Sequence, residues 1–322
     1  MNFPDLKNFC LHPLQFEHGI LIKFFSLADK IKQLDTTKAG RIKLQTLLPH
    51  IRAALYFNQP STRTFISFAN ACHILGIKIS DIRDSGNSSE KKGESVQDTI
   101  HTLSQYTDLI IMRHKEENAS SEAVPSLSKS GVKLINAGSG KDQHPTQALL
   151  DIYTIYDTFN GSINGKTILI AGDIKRGRAA RSLIYILKNY KVKLILASPD
   201  ELKAENDLIE FIKQNNKFQL ELVDEIRNSL SNADVIYMTR IQDEHDSNKE
   251  SSAINFEPFK LKYSDLDKLK KDAVIMHPLP RRDEIEVSID KDNRAIYWQQ
   301  EKNGLYIRAA LITYMFGVTD EL

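Results

Sequence analysis

The sequence predicts an α/β protein of two domains, each a parallel sheet with helices on both faces. Short apolar and β-branched runs recur along it, each followed by a segment with helical apolar spacing, which is how strand–crossover–strand units read. The chain has 322 residues, 41% of them hydrophobic, enough for two cores of ordinary size. A helix stop at Asn160-Gly161 divides one series of units from a second that begins at Lys166.

In the first half, strands are expected at 53–57, 78–82, 109–112 and 133–136, with helices near 62–75, 96–106, 120–130 and 145–159. The second half places strands at 167–171, 193–197, 219–223, 235–238 and 273–276, with helices between most of them. A last helix, Gly304 to Phe316, is expected to return to the first domain, giving domains 1–150 (with 304–322) and 151–303. Two polar stretches, Arg83 to Lys92 and Gln242 to Phe259, carry no regular pattern and read as loops.

Lys plus Arg (43) balances Asp plus Glu (42), so no whole-molecule field draws in nucleic acid or an anionic membrane, and neither is expected as a partner. Cys10 and Cys72 are too few for a disulfide framework and lack a metal-ligand spacing; both read as buried thiols, in keeping with a cytoplasmic compartment. Met1 to Pro13 lacks a leader pattern, and no run approaches membrane-spanning length. The GxGxxG, GxxxxGK[ST] and GxSxG patterns are missing, as is any zinc spacing, so neither cofactor nor metal is expected.

The chemistry gathers where strands end. Ser61-Thr62-Arg63-Thr64 opens a helix, where free N–H groups, hydroxyls and a guanidinium suit phosphate oxygens; a plain serine cap explains the same string. Lys91-Lys92-Gly93 closes the first polar loop, as an anion-seeking ammonium or a solvated charge pair. Arg113 ends an apolar strand, the edge at which open α/β sheets bind ligands. His144 and Gln147 share a helix face behind Pro145, suited to polarising a carbonyl and orienting an amide, or to capping. In the second half, Gly172-Asp173 through Gly177-Arg178, Thr239-Arg240-Ile241-Gln242 and His277-Pro278-Leu279-Pro280 each follow a strand. Two strand-end arginines suit a dicarboxylate. Phosphate-binding groups in one domain and carboxylate-binding groups in the other imply transfer from an acyl-phosphate-like donor in the cleft where the domains meet.

In six ordered blocks the chain resembles the aspartate and ornithine carbamoyltransferase family: Ser61-Thr-Arg-Thr64, Lys92-Gly-Glu94, Met112-Arg-His114, His144-Pro-Thr-Gln147, Met238 to Gln242 and His277 to Ile285. The resemblance implies a carbamoyl phosphate domain and an amino-acid domain, assembled as homotrimers with active sites shared between subunits. It assigns phosphate to Ser61, Thr62, Arg63 and Thr64, with Arg113 bridging to the carbonyl oxygen, and the oxyanion site to Thr64, Arg113 and His144. Gln147 and the carbonyls of Leu279 and Pro280 would hold the carbamoyl NH2. Lys92, with Ser88 or Ser89, would reach across from the adjacent subunit, and Arg178, Arg240, Gln242 and Lys92 would bind aspartate. His-Pro-Leu-Pro, rather than the His-Cys-Leu-Pro of ornithine enzymes, points to L-aspartate as acceptor and to pyrimidine biosynthesis. Phe65 and Gln59 depart from the family, standing where an arginine and an acid or lysine are common, and the polar loop is about one residue shorter before Lys92 than in some bacterial members. Another acceptor, a catalytically silent partner and a nicotinamide-binding protein are the rival readings. Whether a regulatory chain or a dihydroorotase binds is left open.

Overall fold

Continuous apolar runs such as Leu109 to Met112 become strands covered on both faces, because only a parallel sheet with crossover helices buries every side chain of such a run. The structure is a computed structural model that describes residues 3–83, 93–141, 143–242 and 254–322. Within these the chain forms two compact units, Met1–Leu150 with Lys302–Leu322, and Asp151–Glu301.

The first unit runs β1 (Phe9–Cys10), α1 (His18–Leu34), α2 (Lys38–Gln45), β2 (Arg52–Phe57), α3 (Thr62–Ile74), β3 (Lys78–Ile82), α4 (Val96–Ser104), β4 (Leu109–His114), α5 (Ala119–Glu122), α6 (Val124–Leu127) and β5 (Lys133–Ser139). Helix α7 (Pro145–Thr158) begins in it, and the end of α10 (Tyr297–Phe316) belongs to it. Its sheet has the order β1-β5-β4-β2-β3, parallel throughout. The second unit runs β6 (Thr167–Ala171), α8 (Arg178–Leu187), β7 (Val192–Ala197), α9 (Asn206–Gln214), β8 (Phe218–Val223), β9 (Val235–Met238) and β10 (Val274–Met276), in the parallel order β10-β9-β6-β7-β8.

Both orders reverse direction once. From β2 the chain steps outward to β3, then returns past β2 to lay down β4; from β6 it steps to β7 and β8, then returns to lay down β9. The crevice beyond the carboxyl ends of such a pair of strands is where open α/β sheets bind ligands. Residues after β2 and β4, and after β6 and β9, therefore occupy the positions that count for function.

Three differences from the sequence expectation have physical causes. The helix expected over 120–130 is two single turns, α5 and α6; Pro125 has no N–H to continue a helix. The last helix begins at Tyr297 rather than Gly304 and ends at Phe316, followed by a short 3-10 turn at Thr319–Glu321. Helix α1, not singled out above, buries Leu21, Phe24, Phe25, Ala28 and Ile31, an i, i+3, i+4, i+7 stripe worth roughly 1.5–3 kcal/mol for each large side chain.

The returning part of α10 is tied to the first unit by Tyr306 donating to Asp35 (3.1 Å), by Phe24 packing edge-on against Tyr314, and by Arg308. Arg308 is 1% exposed and donates to Ser67 at 2.6 Å beside the Phe68 ring, bracing α3 from behind. Cys10 and Cys72 are free, buried thiols. Among the described residues, no helix is long and apolar enough to cross a membrane, and no three His, Cys, Asp or Glu side chains are grouped to hold a metal.

Candidate active site

In the first unit the loop from β2 to α3 and the end of β4 flank the point of reversal, with Phe57 and Arg113 paired in register. Ser61 caps α3 in extended conformation without spending its hydroxyl on the helix, so the first-turn amides, Ser61 and the exposed Thr62 and Arg63 line one rim. Thr64 is buried one turn in. The β4–β5 register shifts between Met112 and His114; an irregularity of this kind re-aims the intervening side chain, here Arg113.

That side chain meets the other two candidates. Arg113 NH1 lies 3.5 Å from Thr64 Oγ1, 3.3 Å from the Ala137 carbonyl and 3.5 Å from His144 Nε2. All three contacts exceed the ~2.9 Å of a well-formed N–H···O bond, so NH1 is spread over a hydroxyl, a carbonyl and an imidazole. Because arginine only donates, the His144 contact is a hydrogen bond when Nε2 carries the lone pair. His144 immediately precedes α7, where its carbonyl accepts from the Gln147 and Ala148 amides at 3.0 and 3.1 Å; His144 and Gln147 are both buried. The arrangement is a partly enclosed set of hydroxyl, guanidinium, imidazole and carboxamide groups at a helix start, suited to a phosphate joined to a carbonyl.

Phe65, the departure noted above, is buried edge-on against Phe57, and the Arg83 guanidinium stacks 3.6 Å above its ring. Aromatic packing and a cation–π contact thus hold the side chain at this position. Lys92, Ser88 and Ser89 lie outside the described residues.

In the second unit the corresponding strands are β6 and β9, and the close approach after them demands glycine. Gly172 has φ +120°, and a Cβ there would meet the Thr239 carbonyl oxygen at 2.0 Å. Asp173, fully buried, accepts from the Arg176 amide (2.9 Å), Arg176 Nε (3.0 Å) and the Gln242 amide (3.1 Å), pinning the loop after β6 to the loop after β9. Arg178 opens α8, and Arg240 donates to the Ile241 carbonyl at 2.9 Å; both are half-buried. Arg178, Arg240 and Gln242 therefore stand on the two loops that border this reversal. Sequence reasoning gave Asp173 no role; a carboxylate following Gly at a strand end was the available signal.

Leu279 and Pro280 follow β10 in a turn where Leu279 takes φ +51° and the Leu279–Pro280 bond is cis. A cavity of about 310 Å³ lies beside this turn, lined by Ile241, Phe256, Lys260, Arg282 and Glu284 among others.

Family models for the aspartate/ornithine carbamoyltransferase carbamoyl-P binding domain and Asp/Orn binding domain match residues 10–157 and 164–315. The chain belongs to the aspartate/ornithine carbamoyltransferase family. It is 38% identical over 309 residues to the aspartate carbamoyltransferase catalytic subunit of Clostridium novyi, covering 96% of this chain and 97% of that one. It is 37% identical over 320 residues to the multifunctional protein CAD of Squalus acanthias, covering 98% of this chain but only 14% of that far longer protein. Among solved structures, the Trypanosoma cruzi aspartate transcarbamoylase in complex with carbamoyl phosphate and aspartate superposes with a TM-score of 0.86 at 30% identity, over 95% of this chain and 96% of that one.

Proposed function

We propose that this chain transfers the carbamoyl group of carbamoyl phosphate to the amine of L-aspartate, giving N-carbamoyl-L-aspartate and phosphate, an early step of pyrimidine synthesis. The observation that carries the reading is the convergence of Thr64, Arg113 and His144 at the β2/β4 reversal. Similarity to aspartate carbamoyltransferase catalytic subunits supports the acceptor.

The phosphate sits on Ser61, Thr62, Arg63 and Thr64, where helix amides and hydroxyls replace its hydration. Arg113 bridges phosphate and carbonyl oxygen; with Thr64 and His144 it stabilises the oxyanion that forms when the neutral α-amine attacks the carbamoyl carbon. The carbonyl π electrons move to oxygen as the C–N bond forms. They return as the C–O bond to phosphate breaks, and the departing phosphate takes the amine proton. Gln147 and the carbonyls of Leu279 and Pro280 are assigned to the carbamoyl NH2. Arg178, Arg240 and Gln242 are assigned to the aspartate carboxylates. No strong base is required, so rate arises from positioning and preorganised donors, at about 3 kcal/mol for each oxyanion contact.

The working form is a cytoplasmic homotrimer in which Lys92, with Ser88 or Ser89, enters the neighbouring subunit's site. Regulatory-chain or dihydroorotase partnership is a further option that the multifunctional relatives raise. The test is direct detection of N-carbamoyl-L-aspartate from purified protein given carbamoyl phosphate and L-aspartate, with L-ornithine as the parallel acceptor. Product from aspartate alone supports the reading; product from ornithine alone, or from neither, rejects it.

A further inference from the structure

The turn after β10 is held by two buried side chains to which no role has yet been given. His277 and Glu284 are each 1% exposed and meet at 2.7 Å between Nε2 and Oε1. His277 Nδ1 also receives the Leu279 amide at 2.7 Å, which fixes the tautomer: Nδ1 carries the lone pair, so Nε2 carries the proton and donates it to Glu284. Glu284 Oε1 accepts in addition from the Arg282 amide at 2.9 Å. The two ends of the turn, Leu279 and Arg282, are thereby fastened to one histidine–carboxylate pair.

The pair is itself anchored. The His277 amide donates to Gln300 Oε1 (3.0 Å), Gln300 Nε2 donates to Asp151 Oδ1 (2.6 Å), and the Tyr237 hydroxyl donates to Asp151 Oδ2 (2.6 Å). A buried chain of hydrogen bonds therefore runs from β9 through the first residue of α7 in this unit to the turn. Burial holds His277 below its ordinary pKa despite the carboxylate beside it, so it stays neutral. Burial, the largest single influence on Glu284, works against its ionisation too, but the His277 contacts and the Arg282 and Glu284 amides together outweigh it and keep the carboxyl below its usual range. Neutral imidazole and ionised carboxylate match the tautomer that the geometry demands. Leu279 needs such fastening, because φ +51° is a left-handed conformation that a leucine adopts only under backbone strain.

We propose that His277 and Glu284 are positioning residues that fix the direction of the Leu279 and Pro280 carbonyls, and so the grip on the carbamoyl NH2. This deepens the functional reading above and rests on it. Neither side chain touches substrate; each acts through the backbone it holds.

The test is steady-state kinetics on the full chain with His277→Ala, Glu284→Ala, His277→Asn and Glu284→Gln, varying carbamoyl phosphate at saturating aspartate. Inorganic phosphate, which has no amide to lose, serves as inhibitor. His277→Ala should lose about a hundredfold in kcat/KM for carbamoyl phosphate, the scale of a small misplacement of a binding group, while inorganic phosphate inhibits as in the wild type. His277→Asn should recover much of the loss, since an asparagine side chain accepts the amide two residues on. Should His277→Ala fail to fold, Glu284→Ala carries the same test with Glu284→Gln as its rescue. Unchanged kcat/KM in a folded alanine variant overturns the proposal. So does weakening of phosphate inhibition in step with kcat/KM, which would mean general loosening. A wild type that makes no N-carbamoyl-L-aspartate sinks the functional reading and this inference together; an active wild type with an indifferent His277→Ala sinks this inference alone.

Discussion

The β2/β4 and β6/β9 reversals share a topology but are stiffened in opposite ways. At the first, Arg113 NH1 reaches a hydroxyl, a carbonyl and an imidazole at 3.3–3.5 Å, each longer than a well-formed hydrogen bond. At the second, a fully buried carboxylate, Asp173, ties two loops together at 2.9–3.1 Å, beside a glycine with no room for a Cβ. The first resembles a donor set awaiting an anion. The second is a frame whose shape is settled internally and whose outer arginines, Arg178 and Arg240, face the ligand question separately. One topology thus places residues, while local chemistry decides whether rigidity comes from the protein or from the substrate.

That contrast can be broken by substitution. Arg113→Ala should lower kcat by about a thousandfold, the upper range for removing an oxyanion donor, while the protein stays folded. Near-normal turnover would remove Arg113 from the chemistry. Gly172→Ala should act conversely, destabilising the fold by roughly 3 kcal/mol through left-handed strain and collision with Thr239, read as a shifted denaturation midpoint. A wild-type midpoint would show the second frame to be soft. Arg240→Ala should raise the aspartate KM by about ten- to a hundredfold, as expected for one charge-assisted contact, and leave carbamoyl phosphate binding alone. Equal effects on both substrates would erase the division of labour.

The smallest effect is on pH dependence. Folded His277 has a pKa below its ordinary 6.5, so as pH falls through that value the unfolded chain binds a proton that the folded one refuses, and stability declines. Glu284 has the same sign: its lowered folded pKa stabilises the protein above the ordinary 4.5, a contribution lost as pH falls through the folded value. Melting temperature should decline on acidification from neutrality, and His277→Asn should flatten the stretch just below pH 6.5; an unaltered slope would place the titration elsewhere.

The fold class was legible because strands such as Thr167–Ala171 and Val235–Met238 are unbroken apolar runs ended by Gly or polar residues, a pattern that survives any packing detail. Less was legible where the signal is short or contradicted. Two-residue β1 has no periodicity to read, and Pro125 interrupts a helical pattern without announcing whether the helix bends or stops. Motif residues were named from their chemistry and from family resemblance. Their contacts were not readable, because Thr64, Arg113 and His144 are separated by 49 and 31 residues and meet only through sheet order and the irregularity at Arg113. Asp173 and Glu284 went without a role for the same reason: a carboxylate's partners are set by loops that sequence does not place.

The first unit is discontinuous: it needs Lys302–Leu322, whereas the second is the single span Asp151–Glu301. During synthesis the order of completion is therefore inverted. The second unit has all its residues before the first has its closing helix, and until residues 302–322 emerge Ser67 lacks Arg308 and Asp35 lacks Tyr306. The earliest-made half of the enzyme is the last to be finished, and a nascent chain halted before residue 302 carries an α3 without Arg308 behind it.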